Sequence, residues 1–282
     1  MDVRPLAADS ISVRSMATLV KTNDCRIVID PSAALGPSRY GLPPTKREEK
    51  ALEKALKEIH NIADKSDILM ITHYHYDHFD QGGAHFKGKT VYAKDISKDI
   101  NKSQTNRGTE FKEAVSDSCE LVYADGKEFK CGKTKIRFSP PMFHGPEGIR
   151  LGYVLMVAIT DGNGLHGEET FVYASDVQGP VTKEATEWII AQKPDLIYID
   201  GPPILFLGWK FSHKNLEQSV ENFRRLLKET KARIILDHHL LRSLDYKEKF
   251  SVWGDKRVMT AAEFLGKENT MLEAHRKELW GK

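Results

Sequence analysis

The sequence predicts an α/β fold from three features: a β-rich middle, a final third in which helical and strand patterns alternate, and a histidine run placed where a buried strand stops. The chain has 282 residues, 40% hydrophobic and 29% charged, which is ordinary globular usage and enough for one large core or two small ones. It contains no internal repeat, low-complexity tract or flexible linker, so a single domain over residues 1–282 is expected.

The elements follow in order. Residues 11–21 carry β-type side chains, Asn23-Asp24 is a turn signal, and residues 26–29 are a short apolar run ending at Asp30; together they read as a starting hairpin. A loop rich in Pro and Gly (31–44) precedes a helix from about Thr45, whose Ala51, Leu52, Ala55, Leu56, Ile59 and Ile62 fall at helical spacing and define a core face. Residues 67–71 read as a buried strand, and the histidine segment begins at its end. Strands are expected near 90–93, 121–123, 135–138 and 152–160, with Asp161-Gly162-Asn163-Gly164 closing a hairpin into 170–175. Beyond Asp176 the pattern becomes helix (182–192), strand (196–199), helix (215–230) and strand (233–236), and helix-like segments at 260–264 and 270–280 end the chain.

Composition excludes more than it selects. The net charge of +2 comes from 42 basic and 40 acidic residues mixed along the chain, so no global field marks a nucleic-acid or membrane binder. Cys25, Cys119 and Cys131 are odd in number and lack metal-type pair spacing; they read as buried small residues of a reduced intracellular chain. The N-terminus lacks an apolar signal core and the longest apolar stretch, around Tyr153 to Ile159, is too short to span a bilayer, so a cytoplasmic location without membrane contact is expected.

Chemistry concentrates in Thr72-His73-Tyr74-His75-Tyr76-Asp77-His78, which puts three imidazoles and a carboxylate within six positions. In an extended loop His73 and His75 point the same way, so their ring nitrogens can meet one ion. Asp77 and His78 lie one step further, where the chain can curl around a second ion. Imidazole and carboxylate suit Zn²⁺, with Fe or Mn also accommodated, and the lack of thiolates argues against a purely structural zinc. Open coordination positions would hold a water whose pKa falls to about 7, giving a nucleophile near neutral pH.

His-x-His-x-Asp-His after an apolar strand resembles the signature of the metallo-β-lactamase superfamily, which implies a four-layer αββα sandwich and two divalent metal ions. The family's Asp closing an early strand matches Asp30, which would brace the histidine loop. Its lone downstream His resembles His144 in Phe143-His144-Gly145, and its bridging Asp after a strand resembles Asp176 in Tyr173-Ala174-Ser175-Asp176. For its last His, Asp237-His238-His239 offers two positions; His238 is preferred because it follows its strand as His73 follows residues 67–71, and His239 stays as the alternative. The resemblance then implies His73, His75 and His144 on one ion, Asp77, His78 and His238 on the other, and Asp176 bridging, with Asp77 also orienting the nucleophile. It spans most of residues 11–240.

The resemblance is closest to a largely archaeal branch of predicted metal-dependent hydrolases that lends no substrate. His75 stands where the family's di-iron oxygen reductases carry Glu, which leans toward hydrolysis of an ester, lactone, thioester or phosphoester; a non-haem iron redox enzyme or a non-catalytic binding protein are the alternatives. Only 61 residues separate Asp176 from His238, too few for a long-range nucleic-acid clamp, so a small-molecule or phosphoester substrate is expected. The segment 200–211 joins turn residues to aromatics directly after a strand and reads equally as a substrate entrance or a packed connector. Trp209, Lys210 and His213 are its candidate substrate contacts, with solvated surface charge the blander account of Lys210 and His213.

Overall fold

A computed structural model describes residues 1–164 and 167–282. The first sheet has six strands in sequence order, β1 (Asp2–Pro5), β2 (Thr18–Lys21), β3 (Arg26–Ile29), β4 (Ile68–Ile71), β5 (Thr90–Ala93) and β6 (Glu120–Tyr123), antiparallel up to β3 and parallel from there on. Helix α1 (Lys46–Ala63) connects β3 to β4, and α2 (Lys102–Val115) connects β5 to β6. The second half opens with β7 (Glu128–Cys131) and β8 (Thr134–Phe138), and a two-stranded ribbon, β9 (Met142–Phe143) with β10 (Tyr153–Val154), follows. Then come β11 (Val157–Gly164), β12 (Gly167–Ser175), α3 (Lys183–Ala191), β13 (Leu196–Asp200), α4 (His213–Glu229), β14 (Arg233–Asp237) and β15 (Val258–Met259). They build a seven-stranded sheet in the order β15-β14-β13-β12-β11-β8-β7, parallel from β12 to β15.

Period-two alternation explains why the parallel strands read as unbroken apolar runs: both faces are covered. Ile27, Ile29 and Met70 face the second sheet, where they meet Phe138, Val157, Phe171, Tyr173 and Ile235. Val28, Leu69 and Ile71 face the other way, onto Ala55, Ile59 and Ala63 of α1 and Phe111 and Val115 of α2. The second sheet repeats the device, sending Val172, Ala174, Ile197, Ile199, Ile234 and Leu236 against Ala185 and Ile189 of α3 and Phe223 and Leu226 of α4. Two sheets packed face to face between helix layers are the four-layer αββα sandwich of the metallo-β-lactamase fold.

Several expectations change. Of residues 11–21 only Thr18–Lys21 is strand; the preceding segment bends along the end of the sandwich, where Ser10 N donates to Asp237 and Ser15 Oγ to Ser32 O. Strand β11 continues through Gly164 with a register shift between Asp161 and Gly164, so residues 161–164, expected as a hairpin turn, are strand. Cys25 is buried, but Cys119 and Cys131 are partly exposed; all three are free. The helix expected over 270–280 is a single turn at Arg276–Leu279, because Met271 has a left-handed φ of 41° that a continuous helix cannot contain. Helix α2 had no counterpart among the expected elements: Gly108 interrupts its pattern, and it is needed because a Cβ there would lie 2.5 Å from Ile96 and 2.9 Å from Tyr74. Among the described residues no helix is long and apolar enough to cross a membrane.

Candidate metal centre

Strands β3, β4, β12, β13 and β14 run parallel within their sheets and end at the same edge of the sandwich, and each is followed or closed by a polar residue: Asp30, Thr72-His73, Asp176, Asp200 and Asp237-His238. Loops at carboxyl ends of parallel strands are the usual place for ligand sites because the side chains there converge without interrupting the ladders. Three of these ends turn sharply through left-handed backbone, at Asp30 (φ 49°), Ser175 (φ 54°) and His238 (φ 57°).

The histidine loop is tied to both sheets. Asp30, fully buried, accepts hydrogen bonds from Thr72 N (2.8 Å), Thr72 Oγ1 (2.7 Å), His78 Nδ1 (2.8 Å) and, across the sandwich, Tyr173 OH (2.8 Å). Thr72 Oγ1 also meets Ser175 Oγ at 2.8 Å. Asp30 thus occupies the Nδ1 side of His78 and leaves Nε2 free to face the centre.

Four donor atoms converge from three loops. His73 Nε2 lies 3.1 Å from His75 Nδ1, which lies 3.2 Å from His144 Nε2; Asp176 Oδ2 lies 3.1 Å from His144 Nε2 and 3.7 Å from His73 Nε2. A neighbouring set uses His78 Nε2, 3.3 Å from Asp176 Oδ2 and 3.3 Å from His238 Nε2, with Asp77 Oδ2 3.6 Å from that same His238 nitrogen. Asp176 Oδ1, buried and without a hydrogen-bond partner, lies 3.7 Å from His238 Nε2, so the carboxylate stands between the two sets. So many lone-pair atoms facing one another in a buried space repel unless cations sit among them, and the residues therefore fit divalent metal ions.

Both late histidines reach the centre. His238 Nδ1 meets Asp9 Oδ2 and His239 Nδ1 meets Asp200 Oδ2, each at 2.8 Å, which turns both Nε2 atoms toward the centre. His238 meets Asp77 and His78, whereas His239 Nε2 stands 3.8 Å from Asp176 Oδ2 at the wall of the adjoining cavity. Arg242 lies among the second set: Nε donates to Asp9 Oδ1 (3.0 Å), and Nη2 is 3.3 Å from Asp77 Oδ2 and 3.0 Å from His238 Nε2. A cation placed by the second set would share Asp77 and His238 with this guanidinium.

The electrostatics follow from burial. Burial, reinforced by neighbouring imidazoles, holds His73 well below its ordinary pKa and His75 down to about 3, and burial likewise keeps His239 low. These rings are neutral, the form that binds metals. For Asp77 and Asp176 burial works upward but is outweighed by His78 and His238, joined at Asp77 by Arg242, so both carboxylates stay ionised well below the usual range. Burial also opposes charge on His78, yet Asp176 and Asp30 raise its pKa well above the ordinary value.

Asp9, Asp200 and Arg242 are absent from the site expected from sequence. Asp200 had a usable signal, since it closes an apolar strand as Asp30 does; Asp9, in a turn, and Arg242, at the end of the short helical turn His238–Arg242, had none. Of the three substrate-segment residues, Lys210 lines the cavity beside the centre, while Trp209 is 75% exposed and neither it nor His213 is part of the lining. The aromatics of that segment that do line it are Phe206 and Phe211, because the turn at 204–206 folds them inward.

No family model matches the chain. It is 43% identical over 297 residues to the UPF0282 protein of Methanopyrus kandleri, covering 100% of this chain and 99% of that one. To the UPF0282 protein of Methanocaldococcus jannaschii it is 42% identical over 292 residues, covering 99% and 96%. Among solved structures, the isothiocyanate hydrolase from Delia radicum gut bacteria superposes over 92% of each chain with a TM-score of 0.50 and 14% identity, a likeness of fold.

Proposed function

The chain belongs to the UPF0282 family, and from the geometry of its donor cluster we propose that it is a metal-dependent hydrolase acting on an ester-type bond of a small molecule. The observation that carries this is the meeting of His73 Nε2, His75 Nδ1, His144 Nε2 and Asp176 Oδ2 at the wall of a cavity of about 770 Å³. His73, His75, His144 and Asp176 would hold one divalent ion, and Asp77, His78, His238 and Asp176 a second, with Zn²⁺ the best match to the donors and Fe or Mn also accommodated. Ions bound there would supply Lewis acidity, lowering the pKa of water and polarising the substrate oxygen.

The protein's own groups divide the remaining work. Asp77, ionised and part of the cavity wall, would orient the attacking water. Asp30, Asp9 and Asp200 lock the rings of His78, His238 and His239 in the tautomer that presents Nε2 inward. His239 offers its Nε2 to the cavity from beside Asp176.

The test is a panel of ester, lactone, thioester and phosphodiester substrates with the metal-loaded protein. At least one should turn over, and Asp77→Asn and Asp176→Asn should each lower that rate by about a thousandfold or more while circular dichroism stays that of the wild type. Activity surviving in both variants, or no turnover of any substrate by the wild type, would overturn the assignment.

A further inference from the structure

The charges around the cavity are unequally matched. Among the described residues its carboxylates are Asp77 and Asp176, whereas Arg14, Arg107, Arg150, Lys210 and Arg242 all line it. Two of these cations are neutralised, Arg242 by Asp9 and Asp77 and Arg14 by both oxygens of Glu273. The other three form no ion pair with a carboxylate among the described residues.

Two of the three, the half-buried Arg107 and the exposed Lys210, lie against aromatic rings. Arg107 Nη1 donates to the carbonyl of Tyr74 at 3.0 Å, and its guanidinium lies 4.3 Å over the ring of Tyr76, so the histidine loop itself aims this charge. Lys210 Nζ stands 4.3 Å over the ring of Trp209 and 5.5 Å over that of Phe206, which gives the exposed Trp209 a purpose outside the cavity lining. Between these cations the wall is apolar, formed by Leu35, Ile149, Leu151, Phe206 and Phe211. Cations without a carboxylate partner around a cavity favour an anionic ligand, and an apolar wall beside them favours an apolar group on the same ligand.

We propose that the cavity binds a phosphoester of an apolar or aromatic alcohol, its phosphate held by Arg107 and Lys210, with Arg150 at the rim, and its organic group against Phe206 and Phe211. This substrate class rests on the hydrolase reading above. In the reaction a water oxygen bonds to phosphorus, the phosphorus–oxygen bond to the alcohol breaks, and the alcohol leaves with a proton taken from that water.

Phenylphosphonate, which cannot be hydrolysed, is the probe, with benzyl alcohol as its neutral counterpart. Calorimetric titration of the metal-loaded full chain should give saturable one-to-one binding of phenylphosphonate and much weaker binding of benzyl alcohol. Arg107→Gln should weaken phosphonate binding about tenfold or more with metal content unchanged, and Lys210→Gln and Arg150→Gln, at exposed positions, should do so to a smaller degree. Wild-type affinity in both Arg107→Gln and Lys210→Gln, or equal binding of the neutral probe, would overturn the proposal. Turnover of phenyl phosphate and phenyl acetate measured alongside separates the two readings. Phosphonate binding that the variants weaken, without turnover of any ester, keeps the anion site and sinks the hydrolase; turnover confined to phenyl acetate and equal in the variants does the reverse.

Discussion

His238 shows how much one residue can be asked to do. Its backbone is left-handed, a conformation that costs on the order of 1 kcal/mol for a side chain of this kind. The turn aims Nδ1 at Asp9 and Nε2 at His78, whereas the next residue, in ordinary backbone, aims its ring at Asp200. If His238 completes the second set of donors, His238→Ala should lower the metal content by about one ion per chain, and His239→Ala should leave it unchanged while reducing turnover. Elemental analysis of both variants after dialysis against excess Zn²⁺ checks this, and loss of an ion only from His239→Ala would move the ligand one residue along.

Helix α1 positions nothing in the centre directly, yet it braces the sheet whose loop does. Thr45 and Glu48 form a reciprocal cap at its start, each side chain meeting the other's backbone N–H. Glu48 is 1% exposed and also pairs with the fully buried Arg276 near the C-terminus, so a single carboxylate joins the helix start to the last turn of the chain. Thr45→Ala should cost about 1 kcal/mol. Arg276→Ala should cost about 3 kcal/mol or more, because it leaves Glu48 buried and unpaired. Urea unfolding ranks the two variants; equal costs would mean that Glu48 finds another partner.

Across the whole molecule, the two sheets meet at the centre through polar contacts that titrate. In the metal-free protein, burial holds the pKa values of His73, His75 and His239 below the unfolded value near 6.5, so their contribution is present above that pH and is lost as pH falls toward their folded values. His78 opposes this: its raised pKa gives stability that is fully present below about 6.5 and is lost as pH rises through the folded value. Below about pH 6.5 His78 is protonated in both states, and the three lowered rings, joined by His85, act against the raised carboxyls of Asp200 and Asp237, so metal-free protein should melt at lower temperature as pH falls from 7 to 4. The carboxylates of Asp77 and Asp176, held low, add their own loss only below about 4. Protons compete with metal for His78, whose raised pKa keeps it protonated in the metal-free fold, so the melting difference between metal-loaded and EDTA-treated protein should shrink over that range. A gap that stays constant from pH 7 to 4 would contradict binding by these imidazoles.

The sequence by itself determined the donor types and most interior strands, because both are local properties; β1, β7, β9 and β15, short and at sheet edges or in the two-stranded ribbon, had no counterpart in it. Apolar runs such as Ile68-Leu69-Met70-Ile71 can only be strands covered on two faces, and a polar residue at the end of such a run must point out of the sheet's edge. Asp30, the His73–His78 loop, His144 and Asp176 were therefore legible before any coordinates. Helix α2 was not, because Gly108 looks like a breaker until its contact with Ile96 is visible. Nor were Asp9, Asp200 and Arg242 legible as members of the centre. Only the tertiary structure decided which donors meet, since Asp9 and Arg242 stand 233 positions apart in the chain and come together because two separately built sheets pack with their strand ends on one edge.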